Sequence, residues 1–340
     1  MTNPKTADPA AASRRTLLTA VGAAAATGLA APFASAAPRA RDGKVVAEER
    51  WAMKGDVKLY VYRKHLAEKV ATPRPILFLV HGSTFASRGS YDLQVPGRSG
   101  YSTMDHFARL GYDVWTMDHE SYGFSARTQS NSGIQSGVED LRAALPLVEK
   151  ATGQASVMMF GESSGAIRAG AFANAEPKRV GRLVLHAFTY TGKDAPEIER
   201  RRKQADSYRA NPRRPFGPAQ IQNVFNRDVE GAGDPAVIKA LADFELKFGD
   251  SVPSGTYLDM AVNMPMVDPT KLACPVCLIR PEHDGNESEA EIYRFFEALA
   301  SNDKQLIKVH GLPHGGGMIG PQRARLWHLI NGFLSFPVVA

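Results

Sequence analysis

Cysteine is nearly absent: the chain has two, Cys274 and Cys277, among 340 residues. That rules out a disulfide-built scaffold. Cys274-Pro275-Val276-Cys277 could supply half of a zinc site, but it lacks a second pair. Residues three apart on a strand point to opposite faces and lie too far apart to bridge, so both thiols read as buried groups of a core strand. Long apolar runs are also missing, which excludes an internal membrane-spanning helix, and nothing repeats at a fixed period. Charge of either sign is modest. The net charge is +6, and no nucleic-acid-binding motif accompanies it. What remains, 44% hydrophobic and 22% charged residues, is a globular balance. The length suffices for one large domain with an insertion.

The first 36 residues read as an export signal. Ser13-Arg14-Arg15-Thr16-Leu17-Leu18 is a twin-arginine pattern, a weakly apolar Ala-rich stretch follows to Ala31, and Ala34-Ser35-Ala36 offers a cleavage site. The apolar stretch is too short and too rich in Ala and Gly for an anchor, and no cysteine follows it to carry a lipid. The expectation is engagement of the twin-arginine export machinery and delivery to the periplasm or beyond. Cleavage would leave 304 residues with net charge +4.

Beyond the leader, hydrophobic runs and helical periods alternate. Residues 44–54 and 57–66 alternate apolar and polar, which predicts two edge strands joined at Lys54-Gly55-Asp56. Pro75–Val80 is a continuous apolar run, the signature of a strand buried on both faces, and Tyr112–Met117 reads as a second buried strand. Val157–Phe160, Val180–His186, Pro275–Ile279 and Gln305–Val309 are the further strand candidates. Helical spacing fills Ser102–Leu110, Ile134–Ala151, the stretch after Ser163 to Ala175, Ser288–Leu299 and Gln322–Leu334. Ser288 and Glu291 suit a capping box. This rhythm predicts an α/β fold, a mostly parallel central sheet flanked by helices, with its sites at the carboxyl ends of strands.

Residues 190–267 break the rhythm and read as a mainly helical cap inserted between core segments 37–189 and 268–340. The basic run Arg200-Arg201-Arg202-Lys203, with Arg209, Arg213 and Arg214, reads first as a solvated helix face; meeting an acidic substrate or surface is its other use. Phe244, Leu246, Tyr257, Leu258, Met260, Met264 and Met266 read as packing of cap on core, with an apolar pocket as the other use.

The chemistry centres on Gly161-Glu162-Ser163-Ser164-Gly165 between a strand and a helix. Two glycines let the backbone close a sharp turn, and the helix aims its first amides where negative charge develops in acyl transfer. A serine hydroxyl needs a base to attack at neutral pH, and a histidine held by a carboxylate supplies one. Strand ends after the serine carry Asp284, with Glu282 on the same turn, and His314, with His310 four residues earlier. Asp194 competes as the acid. His314 is favoured because it lies in a flexible glycine-rich loop, and His81 reads as a structural hydrogen-bonder. The candidate triad is Ser163, Asp284 and His314. The candidate oxyanion hole is the backbone amide of Ser164 with that of Ser83 or Thr84.

In these residues the chain resembles the α/β-hydrolase superfamily over nearly all of its length after the leader. His81-Gly82 looks like the superfamily's His-Gly oxyanion motif. Asp118 to Ser125 looks like its Asp-x-x-Gly-x-Gly-x-Ser segment, with Ser121 where glycine is usual. Gly161–Gly165 matches the nucleophile elbow. Pro281 to Asp284 looks like the acid turn, with Pro281 in place of glycine, and Pro313-His314 like the histidine loop. The resemblance implies a serine hydrolase of small ester-like substrates, needing no metal or organic cofactor. Amidase, peptidase, lactonase and carbon–carbon bond hydrolase share the triad. The alternative of another class is a non-catalytic binding protein on the same fold. The sequence does not tell the oligomeric state.

Overall fold

The computed structural model describes residues 1–2, 41–68 and 70–336, so the export signal read over residues 1–36 lies almost wholly outside them. From residue 45 on, the strands are β1 (Val45–Lys54), β2 (Val57–Leu66), β3 (Ile76–Val80), β4 (Asp113–Met117), β5 (Val157–Glu162) and β6 (Val180–His186). They continue with the short β7 (Arg213–Pro215) and β8 (Ser251–Pro253), then β9 (Val276–His283) and β10 (Lys304–Pro313). Eight form one sheet in the order β1-β2-β4-β3-β5-β6-β9-β10, in which β2 alone runs against its neighbours. One of the two expected edge strands is therefore not an edge. β2 lies between β1 and β4, and its centre, Leu59–Tyr62, is buried. A strand paired on both sides need not keep a polar face.

The buried strands divide their side chains by parity, as pleating requires. Ile76, Phe78 and Val80 enter one core; Leu77 and Leu79 enter the other. The first core is closed by α3 (Ile134–Thr152) and α4 (Ser164–Ala175); the second by α2 (Thr103–Arg109) and α11 (Arg323–Leu334). Ile134, Val138, Leu141, Leu145 and Val148 form the buried stripe of α3, whose run ends at Gly153 in the left-handed conformation. Truncating a ring at the centre of such a core leaves a cavity that neighbours fill only in part. Phe78→Ala is expected to cost about 3–5 kcal/mol, read as a lower denaturant midpoint at unchanged slope.

Other differences from the sequence reading are local. Of the two thiols only Cys277 lies on β9, where burial pushes it up to about 12; Cys274 precedes the strand. Ser288 caps α10 (Glu289–Ala298) by accepting from the Glu291 amide at 3.4 Å, but the reciprocal half of the box is missing. Glu287 takes the Ser288 amide instead, and Glu291 turns to Thr191 and Arg294. β10 runs past the expected end at Val309 to Pro313, with an irregularity in register, so His310 sits on the strand. The helix α1 (Ser87–Tyr91) carries no helical apolar period, and its first amide and the Ser87 hydroxyl are held by Asp118 at 2.7 and 2.6 Å.

Between β6 and β9 the chain forms α5 (Pro196–Arg202), α6 (Ala205–Ala210), α7 (Pro218–Asn226), α8 (Pro235–Glu245) and α9 (Gly255–Val262), with β7 and β8 paired antiparallel. Ile221, Phe225, Val237 and Leu241 of α7 and α8 share an apolar cluster with Leu93, Tyr122 and Ile319 of the core loops. Met260 of α9 is buried in the first core, and Met264 and Met266 pack against it, so these methionines serve packing.

Candidate active site

Ser163 follows β5 with φ 57° and ψ −126°, a backbone that L-residues rarely adopt. Its amide is tied to the His186 carbonyl at 2.9 Å. The flanking glycines are required by contact. A Cβ at Gly161 would lie 2.4 Å from the Gly165 carbonyl oxygen, and one at Gly165 would lie 2.2 Å from that of Val80. Both atoms are backbone, so no side chain can yield.

Neighbouring parallel strands bring the partners together. His283 of β9 and Pro313 of β10 are register partners, so the residues after them, Asp284 and His314, emerge side by side. His314 Nδ1 lies 2.8 Å from Asp284 Oδ1, and its Nε2 lies 2.9 Å from Ser163 Oγ. The Asp284 side chain is 2% exposed. Burial pushes its carboxyl up, but the His314 ring, the Asn286 amide and the Arg227 charge outweigh burial and hold it below its usual value. An ionised Asp284 fixes the proton on Nδ1 and leaves the Nε2 lone pair facing the serine.

The competing residues are occupied elsewhere. Glu282 accepts from the Gly311 amide at 2.8 Å and pairs with the exposed His310 at 2.7 Å. Asp194 is exposed. His81 is fully buried; its Nδ1 meets the Gly82 carbonyl at 2.7 Å, and its Nε2 accepts the His119 amide at 3.0 Å. Those partners fit the neutral ring, and burial with the charges of His119 and Arg168 holds its pKa well below the usual value. Ser121 takes the positive φ of 67° that explains glycine's usual place there. Ser83, Thr84 and Ser163 line one cavity. The Ser83 and Ser164 hydroxyls are 2.8 Å apart, and the Ser83 carbonyl accepts from Tyr122 and Arg214, both at 2.8 Å. The amide of Ser164, at the first position of α4, has no acceptor within its own helix.

Asn286 and Asp228 were not anticipated as parts of the site, and Arg201 and Tyr257 were named only through secondary readings, a basic run meeting an acidic substrate and a cap residue lining a pocket. Asn286 is 1% exposed; its amide donates to Asp284 at 2.8 Å and its side-chain nitrogen reaches His314 Nε2 at 2.9 Å. Asp284-Gly285-Asn286 is an Asx-turn sequence, so the first of those bonds was open to reading. Asp228, from the segment after α7, accepts the His314 backbone amide at 3.1 Å. Arg201 and Tyr257 also line the serine's cavity. Arg201 is 2% exposed, which corrects the solvated-face reading for that residue, whereas Arg200 and Arg202 stay at the surface, paired with Glu197 and Glu199.

Burial would push the Tyr257 phenol up, but Arg214, Arg201, the Thr84 hydrogen bond and Arg227 bring it to about 7. Tyr60, Tyr62, Tyr91, Tyr112, Tyr122 and Tyr208 are pushed the other way by burial. One tyrosinate should therefore appear in the near-ultraviolet spectrum with a midpoint near pH 7, and Tyr257→Phe should remove it. A spectrum flat until above pH 9 would contradict this.

The cavity at Ser163 holds about 70 Å³ and also takes in Phe85, Val224, Met318 and Ile319. A wider depression of about 1040 Å³ adjoins it, sharing Thr84, Val224, Arg227 and Tyr257. Among the described residues no cluster of His, Cys, Asp and Glu could hold a metal ion, and no helix is long and apolar enough to cross a membrane.

A family model, Hydrolase_4, described as serine aminopeptidase, S33, matches residues 71–316. Similar solved structures include an esterase from Thermogutta terrifontis with malate bound, at TM-score 0.59 and 18% identity, covering 84% of this chain and 98% of that one. A bromoperoxidase from Bacillus anthracis aligns at TM-score 0.60 and 18% identity, over 85% of this chain and 100% of that one. An enol-lactonase from Burkholderia xenovorans aligns at 0.58 and 15%, over 84% and 100%. At such identities the likeness is one of fold. No curated protein matches the sequence.

Proposed function

We propose, from the premise that this chain belongs to the serine aminopeptidase S33 family of α/β-hydrolases, that it is an exported serine hydrolase cleaving a carboxylic ester through an acyl-enzyme. The observation that carries the reading is the relay from Asp284 through His314 to Ser163, at 2.8 and 2.9 Å. His314 Nε2 takes the Ser163 proton as Oγ attacks the ester carbonyl. The oxyanion is received by the Ser164 amide and by that of Ser83 or Thr84. The intermediate collapses, the C–O bond to the alcohol breaks, and His314 returns the proton to the leaving oxygen. A water then gives its proton to His314 and attacks the acyl carbon. The acid departs, and Ser163 recovers its hydrogen. The sum is ester plus water to acid plus alcohol, with no cofactor.

Asp284 contributes the tautomer and stabilises the imidazolium. Asn286 brings a second donor to Nε2, which competes with the Ser163 hydroxyl for the one lone pair there. Export rests on the twin-arginine pattern at Arg14-Arg15, which supports action in the periplasm or outside the cell. A fluorophosphonate probe tests the reading: stoichiometric labelling that vanishes in Ser163→Ala is expected. A folded wild type that takes up no probe would favour the non-catalytic alternative.

A further inference from the structure

The arginines of the inserted segment differ in how they are paired. At its surface, Arg200, Arg202 and Arg209 each meet a carboxylate of their own helix. Arg201 and Arg214, which face the two cavities, form no ion pair among the described residues. Arg201 donates to Met260 Sδ at 3.1 Å and, at a long 3.4 Å, to Asn286 Oδ1; its Nε is buried without a partner. Arg214 reaches the Ser83 carbonyl and, at 3.3 Å, the Thr84 hydroxyl, and its Nε is likewise unpartnered. Both guanidiniums stand over the Tyr257 ring, at 4.2 and 4.0 Å. Arg227 borders both cavities but already has Asp228 at 2.9 Å and Glu197 at 3.5 Å.

A buried guanidinium without a counter-charge is costly, and the cost is recovered when an anion arrives in bidentate geometry. The Tyr257 phenolate offsets at most one of the two charges. Of the other acids on the cavity walls, Glu162 lies 3.6 Å from His186, and among the described residues neither it nor Asp250 forms an ion pair with Arg201 or Arg214. The guanidinium left without a partner lies where a ligand must pass. The two cavities share Thr84, Val224, Arg227 and Tyr257, so a substrate that outgrows the space at Ser163 extends past Tyr257 into the wider depression.

Resting on the esterase reading above, we propose that the substrate is an ester that carries a carboxylate a few atoms from its scissile carbonyl, received by Arg201 and Arg214 beside Tyr257. The same charge disfavours a substrate with a free ammonium group near the scissile bond, so the proposal separates this chain from the aminopeptidase activity in its family's description.

Two matched pairs of esters test this. Mono-p-nitrophenyl glutarate against p-nitrophenyl pentanoate puts the carboxylate on the acyl side. 4-Acetoxybenzoate against methyl 4-acetoxybenzoate puts it on the leaving group. The proposal expects the anionic member of one pair to be favoured in kcat/KM by about tenfold or more. Glutarate should compete with neutral-ester hydrolysis at millimolar concentration. Arg214→Gln, at a partly exposed position, should lower the anionic-to-neutral ratio about fivefold or more, and Arg201→Gln should lower it further if it folds. Neutral esters favoured in both pairs, with no competition by glutarate, would overturn the proposal and leave the esterase reading standing. If none of the four esters is cleaved, the esterase reading fails first. Calorimetric titration of wild type and Arg214→Gln with glutarate then decides the subsite: binding that the variant weakens supports it, and absence of binding ends it.

Discussion

Ser163→Ala is expected to lower kcat/KM for a short p-nitrophenyl ester by on the order of 10⁴- to 10⁶-fold while the protein stays folded. The size follows from the mechanism. With Oγ gone the acyl-enzyme cannot form, and the remaining rate comes only from binding and from the amides around the oxyanion. The backbone supplies a control. At φ 57° an alanine keeps the strain of the turn, whereas Ser163→Gly removes it at a cost of about 1 kcal/mol or more to L-residues. Both variants should be inactive, and the glycine variant should unfold at higher denaturant than the alanine variant. A lower midpoint in the glycine variant would show that the strain is smaller than the backbone entropy glycine adds to the unfolded chain.

Asp284→Asn should lower kcat by on the order of 10⁴-fold with little effect on KM. An amide in place of the carboxylate presents its NH₂ or its oxygen to Nδ1 with no charge behind it. The tautomer that leaves Nε2 free to accept the serine proton then loses its support. Glu282 does not substitute, because its Oε2 holds the Gly311 amide and His310 while His314 Nδ1 meets Asp284. Glu282→Gln and His310→Ala should therefore change kcat/KM by about twofold or less. A large loss in Glu282→Gln with a small one in Asp284→Asn would reverse the assignment.

What the sequence made legible is what short-range sterics and strand order determine. Gly161 could be read because its constraint lies within a few residues, its Cβ site being filled by Gly165 and Ala166, whereas Gly165 is held by the tertiary approach of Val80 and His81. Asp284 and His314 could be read because each lies in the turn that follows a strand-like run, and parallel strands end on the same side of a sheet. β2 was misplaced as an edge because alternation reports the exposure of a face and says nothing about which strand lies alongside. The Ser288 box was half right, since Glu291 is drawn away by Thr191 and Arg294 through tertiary contacts. Asp228 was out of reach for the same reason, and Arg201 and Tyr257 were named without being placed at the site. A run of basic residues on a short helix does not reveal which one turns inward; that depends on how the segment docks over the sheet. The departures at Ser121 and Pro281 have physical readings as well. Ser121 accepts a left-handed backbone, and Pro281 lies on β9 beyond Ile279, the last residue paired with β6, so its missing amide leaves no ladder bond unmade there.

The account depends most on a covalent acyl group on Ser163. Acid quenching of wild type during turnover of p-nitrophenyl acetate, followed by peptide mass spectrometry, reads this directly. An acetyl group on the peptide containing Ser163, absent when Ser163→Ala is treated identically, is the predicted result. Turnover that leaves this peptide unmodified, or that persists undiminished in Ser163→Ala, would contradict it.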